Sequence, residues 1–279
     1  MSLILSSTER FLSEFHDQRA GITSKAFMAL PAVKGGKAAA SSYEFLVDVV
    51  PKASMPLTVL DVACGDGYLL ELVTLSRSKT ATLIGVDISR GELTAAEHRL
   101  GQDATLIKGR AQEMTLPTGS VDIVLCHMAL MLMDDLELVI AEIRRVLKPG
   151  GLFSFIVGAK PESSNAQNLY IQILRTARQN LNSTIPRLGD KRLEGDVQIE
   201  QLLAGGFANV AIDEISISRR YSPLEMWSWF ESMYDLHGIP DAMRESMKRE
   251  YINTLSVTCD SDGFVGFTDN LRQVTAVAG

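Results

Sequence analysis

The chain has 279 residues, of which 46% are hydrophobic and 22% charged, ample for one enlarged α/β domain with a substantial core. A net charge of −7 argues against broad nucleic-acid binding, which needs basic surface to displace counterions; Arg144-Arg145 and Arg219-Arg220 read as solvated element ends. No stretch approaches the ~20 uninterrupted apolar residues of a membrane span, and residues 1–10 lack the basic start and long apolar core of a signal peptide.

Residues 7–30 read as helical, with Phe11, Leu12 and Phe15 on one side and a second apolar group, Phe27, Met28 and Leu30, beyond Gly21. The segment 15–24, which includes His16 and Arg19, carries more polar chemistry than a packing helix needs; the plain alternative is an amphipathic helix with its polar side in water. Lys34-Gly35-Gly36-Lys37 reads as a flexible turn, too short and unframed for a phosphate loop, and 38–50 as a helix. A regular alternation follows: strand 57–62, helix 67–77, strand 82–86, helix 90–100, strand 105–108, loop 109–119, strand 121–126, helix 134–147 and strand 152–157. Such alternation implies a parallel, right-handed, doubly wound sheet with its ligand at the carboxyl ends of the strands. Residues 158–196 interrupt it with a helix at 168–181 and a polar loop carrying Pro186, Gly189, Asp190 and Arg192. Beyond lie a helix at 197–204, an alternating strand around Val210–Ile217, an aromatic helix at 223–236 with Trp227 and Trp229, a helix at 240–257 and a last strand within 263–278. Repeats and linkers are absent from the sequence, so a single domain is expected.

Chemistry concentrates at the first strand. Its exit, Ala63-Cys64-Gly65-Asp66-Gly67, is a turn of small residues through which a ligand can approach backbone amides at a helix N-terminus. Asp87 ends the next strand, about twenty residues on, where a ribose would place its hydroxyls. Asp61 stands inside an apolar strand, a costly place for a carboxylate unless it meets donors or a cation; it either caps turn amides or serves a ligand. The dinucleotide pattern G-x-G-x-x-G is not met, since Ala63 and Leu70 take glycine positions.

Leu60-Asp61-Val62-Ala63-Cys64-Gly65-Asp66-Gly67 followed by Gly85-Val86-Asp87-Ile88-Ser89 resembles the class I S-adenosylmethionine-dependent methyltransferases, in their small-molecule, natural-product branch. The likeness extends through Gly109-Arg110-Ala111-Gln112-Glu113, Gly119-Ser120-Val121-Asp122-Ile123-Val124 and Leu147-Lys148-Pro149-Gly150-Gly151, all in order within residues 56–157. It implies a Rossmann-like, mostly parallel seven-stranded sheet with a helical lid (1–50), a cofactor-binding core (51–157), a helical cap insertion (158–196) and a C-terminal substrate side (197–279). The implied reaction is methyl transfer from S-adenosylmethionine, leaving S-adenosylhomocysteine, to an oxygen or nitrogen of a small metabolite in a cytoplasmic enzyme of specialised metabolism.

By the same resemblance the donor is held by Asp61, Ala63, Cys64, Gly65 and Gly67, by Asp87 and Ile88 at ribose and adenine, and by the carbonyl of Cys126 at the ammonium; where the chain departs from the family at Arg110, the adenine contact falls instead to the amide of Ala111 and the side-chain carbonyl of Gln112. Many members carry an aspartate where this chain has Arg110; arginine has donors only and cannot accept the adenine amino group's bond. His127, and less directly His16, are the candidate bases; His127 alternatively hydrogen-bonds the donor or packs under the lid. Arg19, Met131, Tyr170 and Trp227 are candidates for touching the acceptor, and Met128, Met131 and Met133 otherwise fill core gaps. Three cysteines without C-x-x-C spacing point to reduced thiols, and four scattered histidines to no metal site. Two rivals share the pattern: a nicotinamide-dependent oxidoreductase, and a protein of this fold that binds the donor without transferring its methyl.

Overall fold

The structure is a computed structural model that describes residues 5–52, 56–76, 81–159, 164–179, 181, 188 and 190–279. Helix α1 (Ser7–Gln18) starts in a capping box, Ser6 Oγ accepting from the amide of Glu9 at 3.0 Å and the Glu9 carboxylate from the amide of Ser6 at 2.9 Å. Gly21, at φ +74°, turns the chain into α2 (Ile22–Met28).

The next stretch departs from expectation. Lys34–Lys37 is not a free turn but the tip of a hairpin, β1 (Ala32–Lys34) and β2 (Lys37–Ala39). Gly35 and Gly36 both sit at positive φ (+54° and +81°), which a tight two-residue hairpin needs. The helix expected over 38–50 shrinks to α3 (Tyr43–Val47), because the hairpin takes residues 37–39 into the sheet.

The doubly wound core then follows: β3 (Thr58–Val62), α4 (Tyr68–Ser76), β4 (Thr82–Asp87), α5 (Arg90–Leu100), β5 (Ala104–Lys108), β6 (Val121–His127), α6 (Leu136–Val146) and β7 (Leu147–Gly158). Beyond it come α7 (Asn165–Gln179), α8 (Asp196–Leu203), β8 (Phe207–Tyr221), α9 (Pro223–Glu231), α10 (Asp241–Ser256) and β9 (Val265–Ala278). The sheet order is β2-β1-β8-β9-β7-β6-β3-β4-β5, so the seven expected strands are joined by the hairpin to make nine. The run β7-β6-β3-β4-β5 is parallel, and β9 and β8 add to it antiparallel. The expected helix 223–236 ends at Glu231, and a separate 3-10 turn, Tyr234–Leu236, follows.

Alternation along β6 shows why both faces are covered. Ile123 and Leu125 join the core layer under α3, α4 and α9, while Val124 and Cys126 join the layer under α6 and α8. From β3 the chain builds outward to β4 and β5, then returns to lay β6 on the other side of β3. That reversal opens a crevice at the carboxyl ends of β3 and β6, where doubly wound sheets bind ligands. Within 158–196, α7 packs on α10 and stacks Tyr170 on Phe230 of α9; Pro186 and Gly189 lie outside the described residues. Among the described residues no helix is long and apolar enough to cross a membrane.

Candidate functional site

β3 delivers Asp61 to the crevice and the chain then turns sharply, with Ala63 at φ +57° and Gly65 at φ +52°. A non-glycine residue in the left-handed region costs of the order of 1 kcal/mol and persists only where its surroundings demand it. Here the turn is tied to the tip of β4: Cys64 donates its amide to the carbonyl of Val86 at 3.1 Å, and Gly65 donates its own to Asp87 Oδ2 at 2.9 Å. Asp87 Oδ1 accepts from the amide of Ser89 at 2.8 Å. Burial raises the Asp87 pKa while these two amides oppose the rise, and each oxygen keeps an acceptor position for a ligand.

Asp61 is 2% exposed and its Oδ1 has no partner. Burial first, then the nearby carboxylates of Asp87 and Asp66, push its pKa well up. A carboxylate kept in this state fits a cation that the protein itself does not supply.

These groups face one common cavity. Its floor is the β3–α4 turn from Asp61 to Asp66, its sides Val86–Ile88, Gly109, Ala111, Gln112 and His127–Ala129, and its roof Glu9, Leu12, His16, Gly21, Thr23 and Ser24 of the N-terminal helices. Tyr43, Tyr68 and Tyr234 complete the wall. The roof is fastened at several points. His16 Nδ1 lies 2.7 Å from Glu92 Oε1 and Nε2 lies 2.8 Å from the Tyr234 hydroxyl, while the amide of Gly21 donates to Glu92 Oε2 at 2.8 Å. Asp17 Oδ1 accepts from Ser89 Oγ at 2.7 Å and from the amide of Gly91 at 2.8 Å. Ser24 Oγ donates to Asp66 Oδ2 at 2.8 Å, and Arg99 donates to the same oxygen at 2.6 Å.

The cavity therefore gathers Asp61, Ala63, Cys64, Gly65, Asp87, Ile88, Ala111, Gln112, His16 and His127 from the residues expected at the site. The other expected residues stand off this wall. Gly67, at φ +78°, turns toward α5, where a Cβ would meet Leu100 at 2.7 Å and Ala96 at 3.2 Å, so the close packing of the helices calls for glycine here. Cys126, expected to act through its carbonyl, buries its side chain in the layer under α6 and directly precedes His127, where the wall begins. Tyr170 and Trp227 are buried in the aromatic core, Tyr170 stacked on Phe230 at 4.1 Å, because rings at helical spacing bury most area against one another. Arg19 donates to the carbonyl of Glu231 at 3.2 Å and lies over the Phe15 ring, away from the wall. Met131 faces a separate hollow beside Asp134 and Lys191, whereas Met128 and Met133 stand on the wall.

The two histidines differ sharply. His127 stacks on Tyr43 with ring centroids 3.6 Å apart, Nε2 lies 2.9 Å from Ser42 Oγ, and Nδ1 has no partner. Burial pushes its pKa down to about 3, so it is neutral near pH 7. His16 instead has a carboxylate on one nitrogen and a hydroxyl on the other. Sequence reasoning missed Glu9, Glu92, Tyr43 and Tyr234. Only Glu9 left a local signal, since Glu9, Leu12 and His16 recur at i, i+3 and i+7 on one helix face. Among the described residues no group of His, Cys, Asp and Glu could hold a metal ion.

The methyltransferase-domain family matches residues 60–155. Among curated proteins the chain is similar to the demethylmenaquinone methyltransferase of Symbiobacterium thermophilum, 36% identical over 110 residues, covering 38% of this chain and 44% of that protein. It is also similar to the malonyl-[acyl-carrier protein] O-methyltransferase of Methylococcus capsulatus, 34% identical over 102 residues, covering 36% of this chain and 37% of that protein. The match thus spans less than half the length of either relative. Among solved structures the fold is shared with phosphoethanolamine N-methyltransferase 2 of Haemonchus contortus (TM-score 0.57, 18% identity, 98% of this chain and 60% of that one). It is likewise shared with the [4+2]-cyclase SpnF (TM-score 0.58, 16% identity, 99% and 98%). The methyl donor of the matched family is S-adenosylmethionine.

Proposed function

We propose that this chain, whose core is a class I S-adenosylmethionine-dependent methyltransferase domain, transfers the donor's methyl group to an oxygen or nitrogen of a small metabolite enclosed beneath the N-terminal helices. The observation that carries this reading is the unpartnered Oδ1 of Asp61 in the same cavity as the amide-held carboxylate of Asp87. A buried acid awaiting a cation and a second acid with two spare acceptor positions match an amino-acid ammonium and a ribose diol. The start of α4, with Tyr68 and Leu69 on the cavity wall, suits the carboxylate of the same amino-acid end. Asp87 would serve the ribose of either cofactor, but Asp61 does not match the nicotinamide alternative, since a pyrophosphate would meet it as a like charge.

The donor supplies a methyl on a sulfonium, and the acceptor's lone pair takes it as the C–S bond pair returns to sulfur. The chain's own contribution is alignment and exclusion of water by the fastened roof. Where the acceptor has a proton to lose, His16 is the group equipped to receive it, through the Tyr234 hydroxyl on the cavity wall, with Glu92 holding the opposite ring nitrogen. His127, neutral and stacked on Tyr43, serves as a flat neighbour to the acceptor. Neutral aromatic walls at Tyr43, Tyr68, His127 and Tyr234 suit an uncharged or cationic acceptor, and a role in specialised metabolism in a cytoplasm is part of the proposal.

The test is thermal unfolding with S-adenosylhomocysteine and, separately, NADH and NADPH. At a hundred times its dissociation constant a native-state ligand stabilises by about 2.7 kcal/mol. A shift with the homocysteine compound alone is expected; a shift with a nicotinamide alone overturns the proposal. A single turnover with methyl-labelled donor and a pool of small hydroxyl and amine acceptors then separates transfer from mere holding.

A further inference from the structure

We infer that Glu9, on the roof helix, is the residue that recognises the donor's adenine amino group; the inference rests on the donor assignment above. Glu9 belongs to a capping box, and α9 shows what such a box requires. There Ser222 and Glu225 make the same reciprocal bonds with Glu225 exposed to water. Glu9 performs the same task at 5% exposure, on the cavity wall. Burying a carboxylate is costly, and capping alone does not call for it.

Its partners leave it ready to accept. Arg110 Nε donates to Oε1 at 2.8 Å and the amide of Ser6 donates to Oε2 at 2.9 Å, so each oxygen retains acceptor capacity. The position is also right in order along the cavity. Asp87 takes the ribose, Ile88 follows it directly, and Leu12 of α1 supplies an apolar surface on the roof. Glu9 lies one helical turn from Leu12, at the end away from His16, about 10 Å along the axis. Ser13 of α1 donates to the carbonyl of Ile88 at 3.3 Å, so Glu9 belongs to the helix that crosses Ile88, one turn before Leu12.

The acid of the loop after β5, Glu113, is exposed and stands off the cavity wall. Arg110 has donors only and places one of them on Glu9, while Gln112, held through its side-chain N–H on the carbonyl of Asp134 at 2.7 Å, offers only a neutral carbonyl, a weaker acceptor than a carboxylate. Arg110 thereby changes from a defect in adenine recognition into the group that orients the acid. The acceptor for the amino group is thus carried by the roof helix, an element separate from the strand tips that carry Asp61 and Asp87.

The test compares S-adenosylhomocysteine with its 6-deamino purine analogue by calorimetry. The wild-type protein is expected to prefer the adenine compound about tenfold or more, as sites built around a charged hydrogen bond do. Glu9→Ala should cut that ratio to within about threefold; Glu9→Gln, which keeps the cap and a neutral acceptor, should fall between. A loosened helix weakens both ligands alike and leaves the ratio intact. An unchanged ratio in folded Glu9→Ala, or no preference in the wild type, overturns the inference, whereas binding of neither ligand to the wild type defeats the donor assignment itself.

Discussion

Asp61 and Asp87 lie in the same small space yet are prepared differently. Asp87 is held by two amides, while one oxygen of Asp61 has nothing. Since the Asp61 pKa is raised by burial, its ionised form is scarce at the acid end, and an ammonium pairs only with that form. Binding of S-adenosylhomocysteine should therefore weaken as pH falls through the raised pKa. Asp61→Asn should bind at least about tenfold more weakly at pH 8 and lose that pH dependence; calorimetry at several pH values checks both, and unaltered affinity removes Asp61 from the site. Tyr234→Phe tests the roof relay. It is expected to lower the rate by about ten- to a hundredfold with binding of the donor product nearly unchanged. Equal losses of rate and affinity would make the His16–Glu92–Tyr234 contacts a fastening alone.

At the scale of elements, the site depends on how α1 meets α5. Gly91 lets the backbone of Asp17 come so near that a Cβ there would lie 2.7 Å from its Cα and 2.8 Å from its carbonyl oxygen. Gly91→Ala should leave the sheet folded yet lift the roof, giving faster proteolysis within the first thirty residues and weaker binding of S-adenosylhomocysteine. Limited proteolysis beside a binding titration checks this, and wild-type behaviour in both would mean that the roof tolerates the displacement. The strands and helices of the core were legible because each rests on its own periodicity and turn residues. The hairpin Ala32–Ala39 was not, since three-residue strands carry too short a pattern and β1 is fixed by its pairing with β8, nearly two hundred residues away. Tyr170 and Trp227 show a related limit. Helical spacing shows that a side chain faces inward but not whether inward means core or cavity.

For the whole molecule, the acid side of the stability profile should carry the mark of His127. Its pKa is depressed from 6.5 to about 3 in the folded state, so below pH 6.5 the unfolded chain binds the proton more readily. The stability due to neutral His127 is fully present above pH 6.5 and is lost toward pH 3, by at most about 1.4 kcal/mol per pH unit. Asp61 and Asp87, with raised pKa values, act in the opposite sense. Comparison with His127→Gln isolates the histidine: the wild-type melting temperature should fall more steeply than the variant's between pH 7 and pH 5. Parallel curves would show that His127 is not held neutral by burial.

The class of fold was written in the sequence, and so was the gathering of Asp61, the turn after β3 and Asp87 in one place. Asp61, the 63–67 turn and Asp87 sit at strand tips, and a parallel sheet carries its strand tips to one edge whatever else surrounds them. The tertiary structure alone decided the rest. Glu9 meets Arg110 across 101 positions, His16 meets Tyr234 across 218, and Ser42 meets His127 across 85. Such pairs arise from packing of helices onto the sheet, and no local pattern of residues encodes which distant side chain will stand opposite.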